Sequence, residues 1–210
     1  MTDTYFYFSS PIKKVEAPEW VSDTSIAAEE RFAKIEQDPD EIYPMFHTED
    51  FANDQRVSKL CEFIAQQSWS MLKEQGYAMD NFATRIEALW AQKHYKHSLM
   101  EQHVHSGSQL VGFYFLDTPK NCSRPLFHDP RPGKVQNYLP EEDPSKATIA
   151  SNIINFEPKP GTLILSNAWL PHSFTRHSSE EPVTFVHFNV GAIYAPTAPT
   201  APITSEAEVV

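Results

Sequence analysis

The chain has 210 residues, 17 Lys+Arg against 28 Asp+Glu, 40% apolar residues, 17 prolines and six glycines, a composition that excludes a disordered or collagen-like polymer and suits one domain with a loose end. The formal net charge of −11 repels phosphate backbones and no Lys/Arg stripe offsets it, so nucleic acid is not an expected partner. Two cysteines make one disulfide at most, Met1-Thr2-Asp3 opens without a basic and apolar leader, and no apolar run approaches the roughly 20 residues that span a bilayer; the expectation is a cytoplasmic protein without a membrane segment.

In chain order, the aromatic run Tyr5-Phe6-Tyr7-Phe8 before Ser9-Ser10-Pro11 predicts a strand stopped by a proline turn. Ile26, Phe32 and Ile35 predict a short helix ended by Asp38-Pro39-Asp40. From Asp54, the spacing of Val57, Leu60, Cys61, Ile64, Met71 and Leu72 predicts a longer helix, with Gly76 placed to end it. Phe82, Ile86, Leu89 and Trp90 predict another over Asn81–Ala91, and His94 and His97, three apart, would share an exposed helical face beyond it.

After residue 100 the texture turns β-branched and aromatic, with strands expected at Leu110–Leu116, Pro125–His128, Ile153–Phe156, Thr162–Ser166 and Val183–Val190. Short strands in succession mean an antiparallel sandwich or barrel. Eight of the 17 prolines fall between Pro119 and Pro160, which makes 129–150 a long loop and a candidate lid. The expected organisation is one domain over 1–194, with a helical buttress over 1–99 and a β core over 100–194. The Ala/Pro/Thr-rich segment 195–210 cannot build a core and is expected to be a disordered tail.

Nine histidines are the chemically informative residues. In His103-Val104-His105 the two imidazoles stand two apart, and on extended backbone such residues project from one face, so both can reach one metal ion. The natural third ligand is His172, delivered by Leu170-Pro171 at the far end of the buried run that follows Pro160-Gly161. Ordinary polar histidines at strand edges are the competing reading of H-x-H. On the last strand, alternation puts Val183, Phe185, His187 and Asn189 on one face; if that face lines the barrel, His187 and Asn189 are its polar groups.

Four blocks, in order, carry a resemblance. They are Trp90 with Gln102-His103-Val104-His105-Ser106-Gly107-Ser108, then Leu126-Phe127-His128-Asp129-Pro130-Arg131, then Pro160-Gly161-Thr162 through Leu170-Pro171-His172, and Phe188-Asn189. From Trp90 to Asn189 the chain resembles the 2-oxoglutarate/iron(II) oxygenase family of bacteria and bacteriophages. The resemblance implies a mainly β fold, a double-stranded β-helix or cupin-like jelly-roll barrel with flanking N-terminal helices. It implies a non-haem iron(II) and 2-oxoglutarate-dependent dioxygenase that hydroxylates an unknown small molecule or peptide, in a host cytoplasm if the source is viral. A homo-oligomer is compatible with it.

Two positions depart from the pattern. The superfamily's facial triad has two histidines and a carboxylate, and here the carboxylate position is His105, which leaves Asp129 as an alternative ligand or as a turn-initiating residue before Pro130. The co-substrate's distal carboxylate is normally met by an arginine six residues before the Phe-Asn asparagine, and that position is Val183. Arg131, inside a matched block, and Arg176 are replacement cations to consider; Tyr114 offers a hydroxyl to a carboxylate or packs the barrel wall; Ser108 bonds its loop. The expected metal and catalytic set is His103, His105 and His172, with Tyr114, Arg131 and Asn189 toward 2-oxoglutarate. The competing expectations are a cupin-like metalloprotein that does not use 2-oxoglutarate and a non-catalytic virion-associated binding module.

Overall fold

Two antiparallel sheets face each other, and alternation along their strands decides what lies between them. The computed structural model describes residues 2–5, 7–36, 38–136 and 139–196; the segment expected as a tail lies, from Thr197 onward, outside the described residues. The elements are β1 (Ile12–Glu16), α1 (Val21–Phe32), β2 (Met45–His47), α2 (Ser58–Glu74), β3 (Phe82–His94), β4 (Met100–His103), β5 (Leu110–Asp117), β6 (Pro125–His128), β7 (Ile153–Asn155), β8 (Thr162–Asn167), β9 (His172–Phe174) and β10 (Val183–Tyr194). The larger sheet runs β1-β8-β5-β10-β3-β2 and the smaller β4-β9-β6-β7, a jelly-roll sandwich of the expected kind.

The larger sheet is buried on both faces. On its outer face Leu89, Ala91, Leu110, Tyr114, Leu163, Leu165, Val186 and Phe188 pack with Ala27 and Ala28 of α1 and Leu60, Ile64 and Met71 of α2. On its inner face Phe113, Phe115, Ile164, Val183 and Phe185 pack with Phe127, Leu170 and Phe174 from the side of the smaller sheet. Alternate residues of one strand therefore serve two cores, as a period of two requires. Gly161 is fixed by this packing: it sits at φ 83°, and a Cβ there would lie 2.5 Å from Pro18 Cα.

Both predicted N-terminal helices form, the second after a 3₁₀ turn in which the Asp54 side chain caps the Arg56 N–H. The helix expected over 81–91 does not form. That segment is β3, a strand paired along its length with β10, because Leu89 and Ala91 are drawn to the helical side and Gln92 and His94 to the interior. His94 is consequently fully buried, not exposed on a helix. Tyr5, Tyr7 and Phe8, the described residues of the aromatic run, are not in a strand either; the strand lies further on, at β1, where Lys13↔Leu165 and Val15↔Leu163 give it a partner. The first 99 residues thus supply β1, β2 and β3 as well as the helices, so the helical buttress and the β core do not divide at residue 99. Cys61 and Cys122 are free thiols. No helix among the described residues is long and apolar enough to cross a membrane.

Candidate metal centre

His103 and His172 are cross-strand partners of β4 and β9, so their Cβ atoms leave the same face of the smaller sheet. His105 follows β4 directly, and its backbone N–H donates to Ala168 O at 2.9 Å, which brings it beside the turn that precedes β9. The ring centroids are 4.4 Å apart for His103–His172, 5.1 Å for His103–His105 and 5.2 Å for His105–His172. One nitrogen from each of the three falls within 4.8 Å of the others.

Tautomers are dictated by what stands behind each ring. His103 Nδ1 lies 2.8 Å from Glu101 O, His172 Nδ1 3.0 Å from Leu170 O, and His105 Nδ1 2.7 Å from Asn189 Oδ1. Each partner is an acceptor oxygen, so each Nδ1 holds the ring proton and donates it, which leaves Nε2 with a free lone pair. The Nε2 atoms of His105 and His172 are buried without a partner, an arrangement native structures avoid unless a water, ion or ligand completes it. Burial pushes the pKa of His172 down to about 3 and also lowers that of His105, so both are neutral and competent to coordinate at neutral pH. Three imidazoles, each with its Nδ1 backed by an oxygen acceptor, fit a divalent transition-metal ion.

A cavity of about 510 Å³ opens beside His103 and His105, between the β2 and β4 edges. Tyr43, Met45, His47 and Met100 line it together with Trp90, Gln92, His187 and Asn189, and among the described residues none that lines it is acidic, arginine or lysine. Trp90 and Phe113 flank His187 at 4.5 and 4.6 Å between ring centroids.

The residues expected to meet the co-substrate divide. Asn189 lines the cavity, but its Oδ1 holds His105. Tyr114 lies on the opposite face of β5 among the helix-packed residues, and its hydroxyl donates to Ala17 O at 2.6 Å; the one-residue alternation from Phe113 turns it away. Arg131 is bound to its near neighbour Asp129 through Nε at 2.9 Å and Nη2 at 2.6 Å. Asp129, which also accepts from Arg131 N–H at 3.0 Å, is a turn residue whose carboxyl is held below its ordinary range first by Arg131; it is not grouped with the three histidines. Arg176 donates to His97, and Ser108 bonds Glu87 rather than its own loop. None of the described residues of the loop 129–150, expected as a lid, lines this cavity; Asp129, Arg131, Thr148 and Ile149 line a separate cavity of about 210 Å³ that also touches Ile12 of β1 and Ile154 of β7.

Sequence reasoning missed Gln92 and His94. Read with a period of two from Trp90, both fall on the inner face, and that alternation was the available signal.

Residues 88–189 match the family model described as "Putative 2OG-Fe(II) oxygenase". Among solved structures the chain is similar to the non-heme alpha ketoglutarate dependent epimerase SnoN from nogalamycin biosynthesis (16% identity, 96% of this chain and 86% of that one, TM-score 0.62). It is also similar to AviO1 from Streptomyces viridochromogenes (13%, 92% and 93%, 0.58) and to a Pseudomonas putida prolyl-4-hydroxylase (9%, 86% and 93%, 0.57). No curated protein matches the chain. At these identities the solved structures speak for the fold, a double-stranded β-helix.

Proposed function

We propose that this chain, which belongs to the 2OG-Fe(II) oxygenase family through its residues 88–189, holds iron(II) on His103, His105 and His172 and oxidises a small molecule in the adjoining cavity. The observation that carries the ligand set is the common tautomer: three rings from two strands and a turn, each with Nδ1–H directed at an oxygen, and two of the three Nε2 atoms buried and unpartnered. Bound there, iron(II) and 2-oxoglutarate supply the oxidation of a substrate C–H bond by dioxygen, chemistry for which the polypeptide has no group of its own.

The chain's own part is to bind, orient and exclude water. Asn189 holds His105 so that its lone pair faces the other two rings. Phe113 and Phe174 close the interior behind His172, with Phe113 in edge contact with it at 5.6 Å. Because burial already keeps His105 and His172 neutral, coordination displaces no proton from them. The uncharged lining of thioether, imidazole, indole and amide groups suits a small molecule better than a charged polymer, in keeping with the acidic balance of the chain.

Anaerobic titration with iron(II) and then 2-oxoglutarate tests this reading. A metal-to-ligand charge-transfer band at one equivalent of each is expected. His103→Ala or His172→Ala should weaken metal binding by more than about a hundredfold, beyond the range of losing an outer hydrogen-bond partner, with the fold kept. Near-native metal content in both variants overturns the ligand set. Metal uptake by the unaltered protein without the band overturns the co-substrate, and no stoichiometric metal leaves a non-catalytic barrel.

A further inference from the structure

Behind the metal centre runs a buried chain of polar side chains that the ligand set does not use. Paired residues of antiparallel strands point the same way, so His187, Phe185 and Val183 of β10 share the interior with their partners Trp90, Gln92 and His94 of β3. Gln92 links two imidazoles, with its Oε1 3.0 Å from His94 Nε2 and its Nε2 3.3 Å from His187 Nδ1. All three side chains are at most 2% exposed.

The amide fixes both rings. Its oxygen accepts only and its nitrogen donates only, so His94 carries its proton on Nε2 and donates it to Gln92, while His187 accepts at Nδ1 and therefore holds its own proton on Nε2. His187 is thus the opposite tautomer to the three ligands. It offers the cavity a hydrogen-bond donor where they offer lone pairs, and its Nε2 is buried without a partner. Its ring stands 4.9 Å from that of His105 and 6.1 Å from that of His172. Of the other inward positions of β10, Phe185 and Val183 are packed into the aromatic interior with Phe113, Phe115 and Phe174, and Asn189 is engaged through its Oδ1 with His105.

We infer that His187 Nε2–H hydrogen-bonds a carboxylate oxygen of the 2-oxo acid held at the metal centre, so that this carboxylate is recognised by a neutral imidazole and not by a cation. Gln92 and His94 are positioning residues that hold His187 in the donor form. The inference rests on the 2-oxoglutarate reading above and adds its recognition. Charge balance favours it: three imidazole ligands carry no charge when coordinated and leave both charges of a divalent ion to face the two carboxylates of 2-oxoglutarate, and an arginine in the same space would leave one charge in excess.

The test is calorimetry on the full chain without oxygen, first with nickel(II) alone and then with 2-oxoglutarate on the nickel-loaded protein. His187→Phe should bind nickel within about threefold of the unaltered protein and 2-oxoglutarate about tenfold more weakly, the loss of one hydrogen bond. His187→Gln, which restores an N–H donor, should recover most of that loss. Gln92→Leu, which frees the ring to take either tautomer, should weaken 2-oxoglutarate and leave nickel alone. Unchanged 2-oxoglutarate affinity in His187→Phe overturns the inference. So does a parallel loss of nickel, which would make His187 a fourth ligand, and so does a His187→Gln variant no better than His187→Phe. Failure of the unaltered, nickel-loaded protein to bind 2-oxoglutarate strikes the underlying reading instead, and is distinguished by appearing before any substitution.

Discussion

The two faces of the larger sheet are built from the same strands and treat polar atoms in opposite ways. On the outer face, β5 presents Tyr114, whose hydroxyl is satisfied by Ala17 O, and β10 presents Val186 and Phe188, which have no polar side-chain atom. On the inner face, one residue along, the same strands present Phe113 and then His187 and Asn189, and the interior holds unpartnered nitrogens on His94, His105, His172 and His187. Buried hydrogen-bonding capacity is costly to leave unmade. The covering helices leave Thr24 Oγ1 and Ser68 Oγ unpartnered on the outer side, but among the described residues every buried unpartnered imidazole lies in the interior, so the sheet's own strands put stability and chemistry on opposite faces.

The largest effect should therefore come from breaking the outer face. Phe188 is fully buried, and its ring lies against the bare backbone of Gly112, where a Cβ would come within 2.5 Å of it. Phe188→Ala should cost about 3–5 kcal/mol in urea unfolding of the metal-free protein, while folded molecules keep native nickel affinity. The substitution at the neighbouring inner position, His187→Phe, should instead weaken 2-oxoglutarate while keeping both stability and nickel affinity. A Phe188→Ala protein of native stability that had lost its metal would abolish the distinction between the faces.

The inner face should also make the metal-free protein sensitive to acid. Burial drives the pKa of His94 down to about 3, and the proximity of His47 and His177 adds to the effect; in the unfolded chain the group titrates near its ordinary 6.5. Between those values the unfolded state binds a proton that the folded state refuses, so stability is complete above about pH 6.5 and is lost as pH falls toward 3. His94→Phe should flatten the stability profile between pH 6 and 5 by about 1.4 kcal/mol per pH unit, the contribution of one proton. An unchanged slope would mean that His94 is charged in the folded protein.

How much of this the sequence disclosed follows the same division. His103, His105 and His172 were legible because i, i+2 spacing and a Pro-Gly turn before a buried run are local signals. The alternation of β10 was legible for the same reason, and it puts His187 and Asn189 inside as expected. β3 was not, because Phe82, Ile86, Leu89 and Trp90 satisfy a helical period as well as a strand's, and only pairing with β10 and β2 decides between them. Misreading β3 concealed Gln92 and His94, and with them the means by which His187 is held as a donor. Arg131 was drawn toward the co-substrate by its block of resemblance, whereas its guanidinium is already bound by Asp129, two residues away.

Tyr114 gives the smallest and sharpest test of the two faces, because it stands between Phe113 and Phe115, both of which point inward. Its phenol makes one buried hydrogen bond, to Ala17 O, at the junction between β1 and α1, and burial pushes its pKa above the ordinary tyrosine range. Tyr114→Phe removes the donor and little volume, so a loss of about 1 kcal/mol of stability is expected from one net hydrogen bond. Nickel and 2-oxoglutarate affinities should both stay within twofold of native, about the scatter expected of two sites that share no partner. If 2-oxoglutarate instead weakened tenfold while nickel held, the hydroxyl would be acting through the sheet on the interior, and stability and recognition would no longer belong to opposite faces.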